Sequence, residues 1–274
     1  MSNPLPVQPG PDVLSFFRAF ADETRLAIVR LLAVTDLRAG ELVDRLHQPQ
    51  NAVSYHLKHL RSLGLLCDRR STLDARDIYY RVDLERLQAL YASAGEALHP
   101  GMAVQREANE AVRPTLDRPL RILFLCTHNR ARSQLAEGIT RYVAGDQVEV
   151  YSAGNEPTEV HPLTKLMLDA LGIDTTRMYS KSMQQFVGQP FEYVITTCDR
   201  MRGGPTFPGD PVHIHWSIPD PSVVEGDAAA QYHAFQTACH ELFTRIRYLL
   251  SLPHPVTNQQ LTIRSMRNVE RGSV

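Results

Sequence analysis

Apolar positions recur at helical spacing through the first hundred residues. Val13, Phe16, Phe17 and Phe20 lie three and four apart, and Leu26, Ile28, Val29 and Leu32 follow Asp22, whose short carboxylate suits a helix N-cap. Ala39, Leu42, Val43 and Leu46 repeat at i, i+3, i+4 and i+7. Pro49 interrupts that pattern and fits the first turn of a new helix, over which Val53, Leu57 and Leu60 resume it. Leu66–Arg70 and Ile78–Val82 read as strands around a polar turn at 71–77. Leu84, Leu87, Tyr91, Ala94 and Leu98 form the stripe of one more amphipathic helix.

Pro100, Gly101, Pro114 and Pro119 bracket a weakly patterned stretch, read as a linker over 99–119. Beyond it apolar runs at 122–125, 148–151, Tyr193–Thr196 and Val212–His215 alternate with helical patterns at 133–144, 162–171 and Ala228–Leu250. Gly172 stands where a helix C-terminal cap belongs. This alternation predicts a four-stranded parallel sheet within a three-layer α/β domain. The expected division is 1–98 for a first, α+β domain, 99–119 for the linker, 120–255 for the α/β domain and 256–274 for a polar, mobile tail.

Composition narrows the class. A formal net charge of -1 confines any nucleic-acid binding to a local basic surface. No apolar run approaches the ~20 residues of a membrane span, and the proline-rich start lacks the build of a signal peptide. Cys67, Cys126, Cys198 and Cys239 are too scattered for a disulfide framework, so the expected setting is a reducing cytoplasm. There an isolated thiol is either a packing residue, the reading for Cys239 among Phe235, Leu242 and Phe243, or a reactive group.

Two short helices joined by a turn and followed by a hairpin describe a winged helix-turn-helix. Its second helix enters the major groove by its N-terminal end, so Gln50, Asn51, Ser54, Tyr55 and Lys58 are expected at DNA. Arg69 and Arg70, with Arg76 and Arg81, add cations to the wing for phosphate contacts. The segments 21–26, 53–60, 64–65 and 79–81, in that order, resemble the ArsR family of winged-helix repressors over about residues 13–98. The resemblance implies operator DNA as a partner and a homodimer paired through terminal helices. It also marks a departure: arsenic-sensing members carry a Cys-x-Cys pair where Arg38 and Gly40 stand here, and soft arsenic needs thiolates. No metal site is expected, His56 and His59 being read as packing residues.

In the second half a buried strand runs straight into Cys126, Thr127, His128, Asn129, Arg130, Ala131, Arg132 and Ser133, and a helix follows. Strand, loop and helix N-terminus in that order make an oxyanion cradle: amides and the helix dipole converge on one point, and the planar fork of Arg132 matches two oxygens of a tetrahedral anion. The same field favours the thiolate of Cys126, with Ser133 donating to its sulfur and Asn129 locking the loop. The Cys-x5-Arg-Ser run, together with 151–154, 171–174, 207–209 and 216–221, resembles the low-molecular-weight tyrosine phosphatases and the arsenate reductases of the same fold over about residues 120–252. That resemblance implies Cys126 as nucleophile, Asp220 as general acid and Cys198 as resolving thiol. Phosphatases usually place tyrosines after the Asp-Pro, where Ser222 and Val223 stand here, and the reductases keep a thiol where Cys198 lies. The further cysteine of thioredoxin-coupled reductases falls at Gly204, and the second loop cysteine of many relatives at Ala131. The expectation is therefore a DNA-binding regulator fused to an arsenate reductase that yields arsenite. It holds no bound cofactor and is regenerated by thioredoxin, glutaredoxin or a low-molecular-weight thiol. A weakly catalytic oxyanion sensor and a tyrosine phosphatase are the alternatives.

Overall fold

The computed structural model describes residues 11–99, 102 and 119–252. Most of the expected linker and the whole of the expected tail lie outside the described residues. The first half opens with α1 (Pro11–Phe20) and α2 (Glu23–Leu32), the latter capped by the Asp22 carboxylate, which accepts from the Arg25 amide at 2.8 Å. A two-residue strand, β1 (Leu37–Arg38), leads into α3 (Ala39–Leu46), and α4 (Gln50–Ser62) follows with Pro49 as its N-cap, one position ahead of the helix. The hairpin is β2 (Leu66–Arg70) and β3 (Ile78–Val82), and α5 (Leu84–Leu98) closes this half. β3 lies between β1 and β2 in an antiparallel sheet, with Arg69 opposite Tyr79 and Arg70 opposite Ile78. Ile28, Leu37, Leu42, Val53, Leu57, Leu60 and Leu65 meet in one buried core, so the helical stripes and the wing are one folded body.

The second half is β4 (Leu120–Cys126), α6 (Arg132–Ala144), β5 (Val148–Gly154), α7 (Pro162–Asp169), β6 (Tyr193–Thr196), β7 (Val212–His215) and α8 (Ala228–Leu250). The strands form a parallel sheet in the order β5-β4-β6-β7. Alternate residues of β4 serve its two faces. Ile122 and Phe124 join a core with Leu135, Ile139, Leu168, Phe235, Leu242 and Ile246 from α6, α7 and α8. Leu123 and Leu125 join Phe186, Phe191, Met201 and Phe207 on the other side, where short helical turns and loops form the third layer. The chain leaves β4 toward β5 on one side and returns to β6 on the other. The carboxyl end of β4 is thus the topological switch point, where an open α/β sheet leaves a crevice. α7 stops at Asp169, short of the expected 171, and Gly172 at φ 76 takes the left-handed turn beyond it.

The halves meet across a buried polar seam. Asp36, 3% exposed at its side chain, pairs with Arg245 at 2.9 Å and accepts the Ser217 amide at 2.7 Å. The Trp216 indole donates to the Val34 carbonyl at 2.9 Å, and the Thr35 hydroxyl accepts from the His215 amide at 3.0 Å. Arg202 reaches the Glu41 carboxylate, and Arg69 of the wing reaches Asp199. No helix among the described residues is long and apolar enough to cross a membrane.

Candidate active site and helix-turn-helix

The switch point holds Cys126, the last residue of β4, 2% exposed. Its Sγ receives the Asn129 amide at 3.1 Å and lies 2.9 Å from Ser133 Oγ. The loop between β4 and α6 is fixed from outside by its own carbonyls. Those of Thr127, His128 and Arg130 accept from the amides of Glu156, Thr158 and His161, and that of Asn129 accepts from Ser180 Oγ at 2.7 Å. With these acceptors tied outward, the loop's donors remain for the side on which the sulfur lies.

Asn129 holds the loop's tightest point, at φ 47, a left-handed conformation that asparagine tolerates. Its amide nitrogen donates to Ser133 Oγ at 2.9 Å and Ser152 Oγ at 2.8 Å, while its oxygen accepts from Gln134 at 3.0 Å and the Lys181 amide at 2.7 Å. Every polar position of this fully buried side chain is occupied, which offsets the backbone's strain. Behind it Lys181 Nζ donates to Glu137 at 3.0 Å, and Ser152 Oγ bonds the same carboxylate. Gly154 ends β5 against this loop: a Cβ there would stand 2.8 Å from both Asn129 N and Thr127 O, so only glycine admits so close an approach.

Arg132, 8% exposed, donates to Asp220 Oδ2 at 2.8 Å and to the Ile218 carbonyl at 3.0 Å. Burial alone would raise the Asp220 pKa, but the Arg132 guanidinium, both Ser222 donors and Arg130 outweigh it and hold the carboxyl below the usual carboxylate range. Cys198 lies two residues past the end of β6, in the same buried cluster as Cys126, with its Sγ 3.5 Å from Thr127 Oγ1. Burial pushes the Cys198 thiol up; Arg132 and the Thr127 bond oppose it, and Cys126 adds to it. The structure therefore brings Cys126, Asn129, Arg132, Ser133, Asp220 and Cys198 together. His128 points elsewhere, its ring 3.1 Å from the Glu156 carbonyl. Cys239 is half-buried against the α8 side of the core.

In the first half Gln50, Asn51, Ser54, Tyr55 and Lys58 are all exposed along α4, Tyr55 at 64%. Arg70 is exposed on the wing. Arg69, expected beside it at DNA, is turned to the other half: it donates to Asp199 at 2.7 and 2.8 Å and to the Ser217 carbonyl at 2.9 Å. Asp199 also accepts from Ser71 Oγ at 3.0 Å, the Thr72 amide at 3.3 Å and Ser217 Oγ at 2.6 Å, with the His215 ring 3.4 Å away. Burial would raise its pKa; His215, Ser217 and Arg69 outweigh that and hold Asp199 far below the usual carboxylate range. Sequence reasoning missed this cluster. The visible signal of the wider seam was Arg245, the Asp36 partner, a cation inside the apolar stripe of Leu242, Ile246 and Leu249; the Asp199 cluster itself left none.

These two sites define a fusion. Residues 22–67 match the family of bacterial regulatory proteins of the arsR type, and residues 121–260, more than half of the chain, match the low molecular weight phosphotyrosine protein phosphatases. The chain belongs to the latter family and carries an ArsR-type helix-turn-helix in front of it. Among curated proteins it is similar to the arsenate reductase of Halalkalibacterium halodurans, 34% identical over 127 residues that make up 46% of this chain and 91% of the relative. The arsenate reductase of Bacillus subtilis is 32% identical over the same length, with the same shares of each chain. Among solved structures, an arsenate reductase in a phosphate-binding state is 25% identical, with a TM-score of 0.40, covering 48% of this chain and 97% of its own. A thioredoxin-dependent arsenate reductase of Corynebacterium glutamicum is 24% identical with a TM-score of 0.40, covering 77% of this chain and 92% of its own.

Proposed function

We propose that the chain is a thiol-dependent arsenate reductase joined to an operator-binding domain. Arsenate enters the loop with two oxygens on Arg132 and the rest on loop amides. The Cys126 thiolate attacks arsenic, and the departing hydroxyl takes a proton from Asp220 and leaves as water. The Cys198 thiolate then attacks Cys126 Sγ. The sulfur–sulfur bond forms, the sulfur–arsenic bond breaks, and its electron pair stays on arsenic. Two thiols and arsenate have become one disulfide, arsenite and water. An external thiol, from thioredoxin, glutaredoxin or a low-molecular-weight thiol, returns the disulfide to thiols.

One observation carries the reductase reading over a phosphatase: the second thiol, Cys198, shares the buried cluster of Cys126. Pro221, Ser222 and Val223 follow the acid, so no aromatic ring stands there for a phenolic substrate. The relatives' names support the same substrate. The test is arsenite release by the full chain under each of the three thiol systems, beside a phosphoester control. Reduction that is lost in Cys126→Ser supports the reading; phosphoester turnover without arsenite production overturns it.

The first domain is the DNA reader in this proposal. The exposed α4 face of Gln50, Asn51, Ser54, Tyr55 and Lys58 takes base edges and phosphates, and Arg70 adds a wing contact. Pairing of two chains through α1 and α5 sets the half-site spacing. Those helices pack on each other and leave Leu14 at 45%, Phe17 at 41%, Tyr91 at 65% and Leu98 at 68% exposed. A footprint with two-fold symmetry, bound by a dimer, supports this. A monomeric chain with no footprint on the DNA upstream of its own coding sequence counts against it.

A further inference from the structure

The parts of the second domain that a reductase must hold in place are gripped by the first. Thr197, just before Cys198, is anchored by its amide, which donates to the Leu125 carbonyl at 2.8 Å, and Cys198 opens a short turn that the Met201 amide closes on its carbonyl at 3.1 Å. The charged side chain of this turn that the wing bonds is Asp199, the very next residue. Arg69, Ser71 and the Thr72 amide all bond its carboxylate, which is 1% exposed. The acid segment is held in the same way. His215, Trp216 and Ser217 are bonded by Thr35, Val34 and Asp36, and the chain then reaches Asp220.

We propose that the winged helix is a working part of the reductase centre, with Arg69 as a positioning residue that holds Cys198 through Asp199. The inference rests on the reductase reading for the role of Cys198. A disulfide needs its two Cα atoms within about 4.4–6.8 Å and its sulfurs at a fixed dihedral, so closure constrains residue 198 tightly. Whatever adjustment closure requires is passed to Asp199 and from there to Arg69. On β2, Arg69 faces the second domain and Arg70, next along the strand, is exposed to solvent. A change at Arg69 is therefore delivered to the wing's outward cation. Coupling of this kind is reciprocal: if closure of the Cys126–Cys198 bond alters affinity for DNA, bound DNA alters the thiol–disulfide equilibrium constant of the pair by the same factor.

The full reduced chain is mixed with arsenate, quenched with iodoacetamide and mapped for the Cys126–Cys198 bond over time. Closure is followed in parallel with diamide, which takes two electrons and two protons from the thiols and needs no arsenate. Arg69→Met is expected to slow closure at least tenfold by both routes while the Kd for inorganic phosphate stays within twofold, and Arg69→Lys restores most of the rate. The milder Ser71→Ala gives a smaller slowing in the same direction, and keeps the test decisive if Arg69→Met loses phosphate binding through misfolding. The wild-type disulfide form is expected to bind duplex from upstream of its own coding sequence tenfold differently from the reduced form. The potential of the pair then moves by about 30 mV when that duplex is present. Closure at the wild-type rate in Arg69→Met or in Ser71→Ala overturns the positioning role. Equal DNA affinity of the two redox states overturns the coupling. Arsenate left unreduced while diamide-driven closure still depends on Arg69 sinks the reductase reading and leaves the clamp standing.

Discussion

Arg132 and Asp220 hold each other at 2.8 Å, and that bond sets a pH dependence whose sign is fixed. An anion in the loop takes the Arg132 fork and places negative charge beside the Asp220 carboxyl. Both effects raise the Asp220 pKa above its depressed starting value, so binding takes up a proton and is favoured as pH falls. Asp220→Asn removes the competing carboxylate. The variant is expected to bind inorganic phosphate more tightly than the wild type at pH 8, with the gap closing toward acid, and to lose about 10²–10⁴ in turnover. Calorimetric titrations at several pH values check the first part; equal affinities at pH 8 would show that the carboxylate does not compete for Arg132. Cys198 gives the opposite slope. Burial pushes its thiol up, so the thiolate fraction near neutrality is small and grows with pH. The disulfide step in a quenched single turnover is expected to accelerate roughly tenfold per pH unit from 7 toward the ordinary thiol range of about 8.5. A flat profile over that interval would remove Cys198 as the attacking group.

At the scale of elements, the cradle depends on how closely β5 approaches the loop after β4. Gly154→Ala places a carbon 2.8 Å from two backbone atoms, neither of which can rotate away. A cost of about 1–3 kcal/mol is expected, with phosphate affinity reduced at least tenfold because the loop must shift. Gly138 is the control, since the atoms nearest its added carbon are the Leu168 side-chain methyls at 2.8 Å, in the buried core and not in the loop. Gly138→Ala is expected to lose stability without losing phosphate affinity, as read by urea titration beside the same binding assay. The elements themselves were legible wherever a period ran long enough. Leu66–Arg70, Ile78–Val82, Tyr193–Thr196, Val212–His215 and Ala228–Leu250 emerge with the limits that the apolar pattern sets. β1 was not legible, because Leu37 and Arg38 are too few to show an alternation and owe their extended form to pairing with Tyr80 and Tyr79. The loop chemistry of Cys126, Asn129, Arg132 and Ser133 could be read because it is contiguous. The placements of Asp36, Asp199 and Lys181 could not, because their partners lie far along the chain and leave no local period.

At the scale of the whole molecule, the seam between the halves turns on Asp36 and Arg245, separated by 209 positions and both nearly without solvent. Arg245 is shared, since Glu241 also accepts from it at 2.7 Å, and Asp36 is committed twice, to Arg245 and to the Ser217 amide. Breaking such a pair from one side leaves a buried charge with fewer partners and an amide with none, which costs more than the pair itself contributes. Asp36→Ala is therefore expected to destabilise the chain by about 3 kcal/mol, at the lower end of the usual range because Glu241 remains. The seam also decides whether the halves unfold together. With it intact, urea is expected to give one transition, seen alike by the Trp216 fluorescence, whose indole bonds across the seam, and by far-ultraviolet dichroism. In Asp36→Ala the two probes are expected to separate, with the fluorescence change preceding loss of helix. The double variant Asp36→Leu, Arg245→Met replaces both charges by apolar groups of similar length and is expected to regain the part of the lost stability that the unpaired Arg245 charge causes, though not the part carried by the Ser217 amide bond. A double variant no more stable than Asp36→Ala would mean that the seam is held by the Ser217 and Trp216 hydrogen bonds and not by the ion pair.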